Sequence, residues 1–198
     1  MRVSRAQAEE NRDRVIDVAS RLFREHGFDG IGLKDLMKGA GLTQGGFYKQ
    51  FASKDDLAAL ASRRAMESAT RRWSAAASDN DDALEAVMAF YLSTDHMGEK
   101  AEGCPLVALG SDAARQNAEV RRPFEDGVRA HFEVLEELVG GAKTSDASSK
   151  AMAILSLMVG AVTLSRIMED EDLSQAILDA ATGQVRRIAG EHTSKTPS

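Results

Sequence analysis

The sequence predicts an all-α chain, with a three-helix head at the N-terminus and a larger helical bundle behind it. Three observations predict it. Apolar residues recur every three or four positions in each segment, and no stretch alternates with period two for long. Glycine, proline and Asx clusters punctuate the segments at helix-like lengths. With 198 residues, 43% of them apolar, there is material for a sizeable core.

Val15, Val18, Ala19, Leu22 and Phe23 fall on one stripe of an amphipathic helix that His26-Gly27 ends. A short second helix runs from Leu33 to about Gly39, with Leu36 and Met37 facing inward. Gly41 turns the chain, Leu42 plugs the turn, and Thr43 is a good N-cap for a third helix whose Phe47 and Phe51 face the core. Ser53 caps a fourth, with Asp55 and Asp56 in its first turn where the dipole favours acids. That helix continues to about Ala77, where Ser78-Asp79-Asn80-Asp81 breaks it. Ala83–Asp95 reads as the next helix, then one opened by Cys104-Pro105, then a longer one carrying Phe124 to Val139 and ended by Gly140-Gly141. A polar loop, Lys143–Ser149, leads into an apolar helix over 151–168. Leu173, Ala176, Ile177, Ala180, Val185 and Ile188 mark the last stripe, and the tail HTSKTPS reads as frayed.

The net charge of −6 argues against a generally adhesive nucleic-acid coat, but the halves differ. Residues 1–60 hold 10 Lys and Arg against 9 Asp and Glu, a balance of +1, which leaves 15 against 22, or −7, for the rest. The single cysteine, Cys104, excludes an intramolecular disulfide framework and fits a reducing cytoplasm. The first residues lack the apolar run of a signal peptide. Residues 151–168 carry Arg166 and fall short of a clean membrane span, so they read as buried in protein. The expected location is the cytoplasm.

Two short helices joined by a glycine turn match the helix-turn-helix, whose second helix enters the DNA major groove by its N-terminus. Gly45 and Gly46 stand where that helix begins, although each glycine costs a helix about 1 kcal/mol against alanine. In a groove the pair makes sense: main chain approaches DNA where a Cβ would clash, and free N–H groups meet phosphate. Gln44 is then the most forward long side chain, with an amide suited to adenine N6 and N7. Tyr48 and Lys49 lie one turn on for phosphate contacts or, for Lys49, a guanine edge. Lys54 stands beside the cap of the fourth helix, in reach of backbone phosphate.

The stretch VIDVASRLFREHGFDGIGLKDLMKGAGLTQGGFYKQFASKDDL resembles the DNA-binding head of the TetR family of transcriptional regulators over about residues 10–60. The FxxxG run Phe23–Gly27, the AGLT turn, the GxFYxxF block and the SKxDL helix opening carry the likeness. The resemblance implies a homodimer that represses promoters and leaves palindromic operator DNA when a small molecule binds its body, without a cofactor. It carries DNA contacts onto Lys34, Thr43, Gln44, Gly45, Gly46, Tyr48, Lys49 and Lys54. Gly32 departs from the family, which usually has Ser or Thr there to cap the second helix and touch phosphate. The implied division is a head over residues 1–54 and a ligand-binding and dimerisation body over 55–198.

In 151–168, 13 of 18 residues are apolar, and a helix apolar nearly all round is buried nearly all round. One side can face its own core and the other a twofold mate. MVGAVTLSRIMEDEDLSQAIL resembles the paired C-terminal helices of TetR dimers, with Leu155, Val159, Val162, Ile177 and Ala181 as the expected interface. Met88, Tyr91 and Met97 are candidates to line an adaptable effector cavity, although plain packing explains them equally. Cys104 at a helix N-terminus is a candidate sensor of electrophiles or oxidants, since the dipole there favours thiolate; a small buried hydrophobe is the alternative. His96 and His131 lack metal-spaced partners.

The case for an enzyme is thin. GIGLKD (Gly30–Asp35) has Asp35 where a dinucleotide loop needs its third glycine, and no phosphate-loop, HExxH or GxSxG pattern occurs. Cys104 and His96 lack a third orienting group. A helical ligand-binding or scaffold protein is the better rival, but it leaves the glycine pair unexplained and predicts no salt-dependent affinity for DNA.

Overall fold

A computed structural model describes residues 4–78, 81–140 and 144–190. Among these the chain is helical throughout, without a strand: α1 Arg5–His26, α2 Leu33–Gly39, a 3-10 segment Gln44–Lys49, α3 Lys54–Ser78, α4 Ala83–Tyr91, α5 Thr94–Gly98, α6 Pro105–Ala113, α7 Ala118–Gly140, α8 Ser145–Ser165 and α9 Glu171–Gly190. The tail expected to fray lies outside the described residues, as do Asp79 and Asn80.

Side-chain caps set the boundaries that apolar periodicity missed. The Ser4 hydroxyl accepts from the Gln7 amide at 3.1 Å and starts α1 ten residues before Val15. Asn117 accepts from the amides of Glu119 and Val120, so α7 begins before Phe124. The helix expected over 83–95 is two. Ser93 donates to the Phe90 carbonyl at 2.9 Å and accepts from the His96 amide at 3.1 Å, closing α4 and opening α5. The loop expected over 143–149 is largely helix, because Thr144 accepts from the Ala147 amide and α8 begins at Ser145. It ends at Ser165 instead of 168, where the buried hydroxyls of Ser165 and Ser174 each donate to the other's carbonyl, at 3.0 and 3.2 Å, tying α8 to α9.

The chain divides into two compact units, and the border differs from the expected cut after residue 54. One unit holds residues up to Arg71 together with Glu99–Val128; the other holds Arg72–Gly98 and the chain from Arg129 on. In the first unit one apolar core joins α1 (Val15, Phe23), α2 (Leu36, Met37) and the 3-10 segment (Phe47) to Leu57 and Met66 of α3, Leu109 of α6, and Val120 and Phe124 of α7. Phe28 stacks between Phe23 and Phe124, with centroids 5.3 and 6.3 Å away. Buried Arg24 reaches across the same unit: Nη1 donates to the Gly103 carbonyl at 3.0 Å and Nε to the Ser20 carbonyl at 2.9 Å.

The second unit packs α8 on α9 through Ile154, Met158, Val162, Leu178 and Val185, all buried. It also holds an aromatic cluster in which Trp73 meets Tyr91 and His131 edge-on, while His96 lies against Tyr91 and its Nδ1 is 2.7 Å from the Tyr91 carbonyl. Those contacts give both histidines a packing role, and no cluster of His, Cys, Asp and Glu among the described residues could hold a metal.

Candidate nucleic-acid interface

The turn between α2 and the 3-10 segment is fixed by the main chain. Gly41 takes φ +72°, its amide donates to the Lys38 carbonyl, and the Leu42 amide reaches back to the Met37 carbonyl, each at 2.9 Å. That pair of bonds is a Schellman cap, with Leu42 closing it against the core. Thr43 is extended, at φ −87° and ψ 149°, and turns the chain into Gln44–Lys49.

The third helix expected here is a single six-residue 3-10 segment, with Thr43 at its N-cap position but making no side-chain cap bond. Two successive glycines weaken an α-helix at its first turn. Phe47 is fully buried, with Phe51 5.4 Å away, and this pair anchors the segment from below. Tyr48 crosses Phe47 edge-on at 5.1 Å and leaves its own ring 72% exposed. Gln44, Gly45 and Lys49 are exposed, and Gly46 is half-buried.

Nothing inside the protein asks for glycine at 45 or 46. Neither has positive φ. A Cβ built on Gly45 meets nothing within 4 Å, and one on Gly46 meets only the Met37 Cε at 3.8 Å, an ordinary contact. Gly39 makes the contrast, since a Cβ there would press on Val18 and Leu22 at 3.0 and 3.1 Å. The outward space above Gly45 and Gly46 is what a docking main chain needs.

The neighbouring candidates fall in the same unit. Lys34 is exposed on α2, whose N-cap Gly32 makes no side-chain cap bond. Lys54 is the first residue of α3, beside a reciprocal cap in which Ser53 accepts from the Asp56 amide at 3.0 Å and Asp56 accepts from the Ala52 amide at 2.9 Å. Sequence reasoning missed Arg12, whose guanidinium lies over the Phe51 ring at 5.4 Å. The signal was the polar first half of α1, which apolar spacing does not register.

The other candidates are dispersed. Cys104 is the N-cap of α6, followed by Pro105 as expected, but only 4% of it is exposed. Met88 and Tyr91 are packed side chains of the other unit, and Met97 is half-buried there. Of the expected dimer face, Leu155, Val162 and Ala181 are buried within their own chain, while Val159 and Ile177 are partly exposed. The phase of α8 is the reason: its inward stripe runs Ala151, Ile154, Leu155, Met158, Val162 and Ser165, and its outward one carries Met152, Ser156, Gly160 and Leu164. By length and composition alone α8 could cross a membrane, but its inward stripe is core.

A helix-turn-helix with an open, glycine-led second element, set in an entirely helical chain, defines a DNA-binding regulator by architecture. Residues 15–61 match the family of bacterial regulatory proteins, tetR family. The regulator AcrR of Shigella flexneri is 39% identical over 56 residues, 28% of this chain, though these span only about a quarter of that relative's length. LmrA of Bacillus subtilis is 24% identical over 79% of this chain and 86% of its own. Among solved structures, a TetR transcriptional regulator from Chloroflexus aurantiacus has a TM-score of 0.78 at 25% identity, covering 92% of this chain and 97% of that one. Escherichia coli NemR in its reduced form has a TM-score of 0.75 at 20% identity, covering 90% and 96%. The chain belongs to the TetR family of transcriptional regulators, which are not enzymes.

Proposed function

We propose that this chain is a dimeric repressor that holds a palindromic operator through two copies of the Thr43–Lys49 segment and releases it when a small molecule binds. The observation that carries the DNA contact is the glycine pair, exposed and without an internal reason to be glycine. Gln44 reads a base edge, Lys34, Thr43, Tyr48 and Lys49 hold the flanking backbone, and Lys54 meets phosphate from the start of α3. The mate sits on the outward stripe of α8, where Met152 and Leu164 are about half exposed and the space above Gly160 is open. An effector that favours a different separation of the two heads prevents both half-sites from filling together, and the bivalent gain is lost.

The test is a duplex selected from a random pool by the full chain, then titrated with salt. Lys54→Ala should weaken binding to all sequences alike and lower the salt slope by about one, whereas Gln44→Ala should relax preference at one base position in each half-site. An unchanged base preference in Gln44→Ala removes the base-reading role. Thiol-triggered release is tested on the same duplex with N-ethylmaleimide. Equal responses of wild type and Cys104→Ser would retire Cys104 as a sensor.

A further inference from the structure

The first unit contains a groove that the DNA-binding role does not use. It lies between α6 and residues 118–128 of α7 and encloses about 650 Å³. That is within the range of small-molecule sites. Its lining includes Ala113 and Phe124, both nearly buried and both part of the core that also holds Phe23 and Phe28 of the head. Leu106 adds apolar surface. Arg121 and Arg122 also line it, exposed and without an ion pair among the described residues, against a single carboxylate, Glu125. Two cations and one anion leave the groove at +1 in a chain whose net charge is −6. The groove is open above Gly110, where a Cβ would meet nothing within 4 Å.

We propose that this groove binds a small organic anion, an apolar body carrying a carboxylate or sulfonate. The body rests on Phe124 and Ala113, and the acid group meets Arg121 and Arg122. A cation of the same shape would face both arginines, and a neutral molecule would forgo them. The site goes beyond the repressor reading, because its occupancy is measured on the protein without DNA and stands or falls apart from operator binding.

The experiment is calorimetric titration of the full chain with 2-naphthoate, and with 2-naphthalenemethanol as its neutral counterpart. The expected result is saturable binding of one naphthoate per chain, with the alcohol about tenfold weaker, as loss of a charge-assisted hydrogen bond implies. Arg121→Ala/Arg122→Ala, two exposed positions, should lose a similar factor for naphthoate and none for the alcohol. Gly110→Leu fills the groove, replaces a mid-helix glycine without a clash and should melt no lower than wild type, yet bind neither probe. The proposal is overturned if wild type shows no saturable naphthoate binding, if the alcohol binds as well as the acid, or if the double arginine variant binds naphthoate like wild type. It is equally overturned if Gly110→Leu changes the oligomeric state while naphthoate fails to bind wild type, which would make the groove a face between chains.

Discussion

Replacing Gly45 and Gly46 by alanine separates stability from DNA affinity, because the two should move in opposite directions. The backbone at both positions has negative φ, and the only internal neighbour of either new methyl is Met37 Cε at 3.8 Å. Each substitution therefore restricts the unfolded chain without straining the folded one, a gain of about 0.4–1 kcal/mol. Together they should add about 1–2 kcal/mol, which for a chain of this size raises Tm by roughly 2–8 °C. On DNA the methyl groups project into the space that main chain and groove must share. A loss of about 1 kcal/mol per half-site, the low end for a disturbed base-pair contact, doubles across a symmetric operator to about 2 kcal/mol, or roughly thirtyfold in Kd. Thermal melts by circular dichroism and anisotropy titration of a labelled operator measure the two effects on one preparation. A variant that melts higher and binds as tightly as wild type refutes the close-approach argument. A variant that melts lower shows that the glycines serve the fold after all.

Gly127→Ala should do the reverse, destabilising without touching the DNA face, since its Cβ would stand 2.8 Å from the Met66 Cβ where α3 crosses α7. Urea denaturation should show a loss of about 1–3 kcal/mol, as overpacking a filled core does; no loss would mean the crossing is looser than its geometry. Arg186→Ala should lower Tm at neutral pH and not in acid. Arg186 donates to Glu85, its Nε 2.9 Å from Oε2, and this bond holds the Glu85 carboxyl below its ordinary value. A depressed carboxylate stabilises the fold above its unfolded pKa and loses that contribution as pH falls through the folded one. The gap in Tm between wild type and variant should therefore close through and below the usual carboxylate range, and a gap independent of pH contradicts the pairing. Residues 1–54 expressed alone should not melt cooperatively. The fragment lacks Leu57, Met66, Leu109, Val120 and Phe124 of the shared core, about 2 kcal/mol each and some 10 kcal/mol together, comparable with the whole stability of a domain. A sharp transition would show the head to be autonomous.

Local chemistry made the DNA-binding module legible. The bounds of α2 and the turn at Gly41 follow from residues within a few positions of each other, and a Schellman cap needs only a glycine and a following apolar side chain. The glycine pair was legible for the opposite reason, because it violates local preference. A violation that the fold does not require points outward, to whatever the fold must meet. What sequence could not supply were features decided by distant residues. Arg24 reads as one more surface charge on α1, yet it is buried because the Gly103 carbonyl, 79 residues on, receives it. Ser93 reads as one polar residue in an apolar run, yet its hydroxyl splits one helix into two.

The misplaced dimer face has the same origin. A helix with a polar side announces its orientation, and α8 has almost none over 151–168, so periodicity alone leaves its rotation open. Its rotation is set by the Ser165–Ser174 pair and by the stripe of α9 that α8 meets, both contacts made only after the chain turns back on itself. Once that rotation is fixed, Leu155 and Val162 are interior, and the apolar side chains still facing out are Met152, Leu164 and Ile167, with Ile167 66% exposed just past the helix end. Three large apolar side chains along one outward face, beside a glycine with open space above it, make a surface on which a second helix can pack closely. The same composition that hid the orientation therefore supplies the interface, and the register of α8 against α9 decides which half of it each chain keeps for itself.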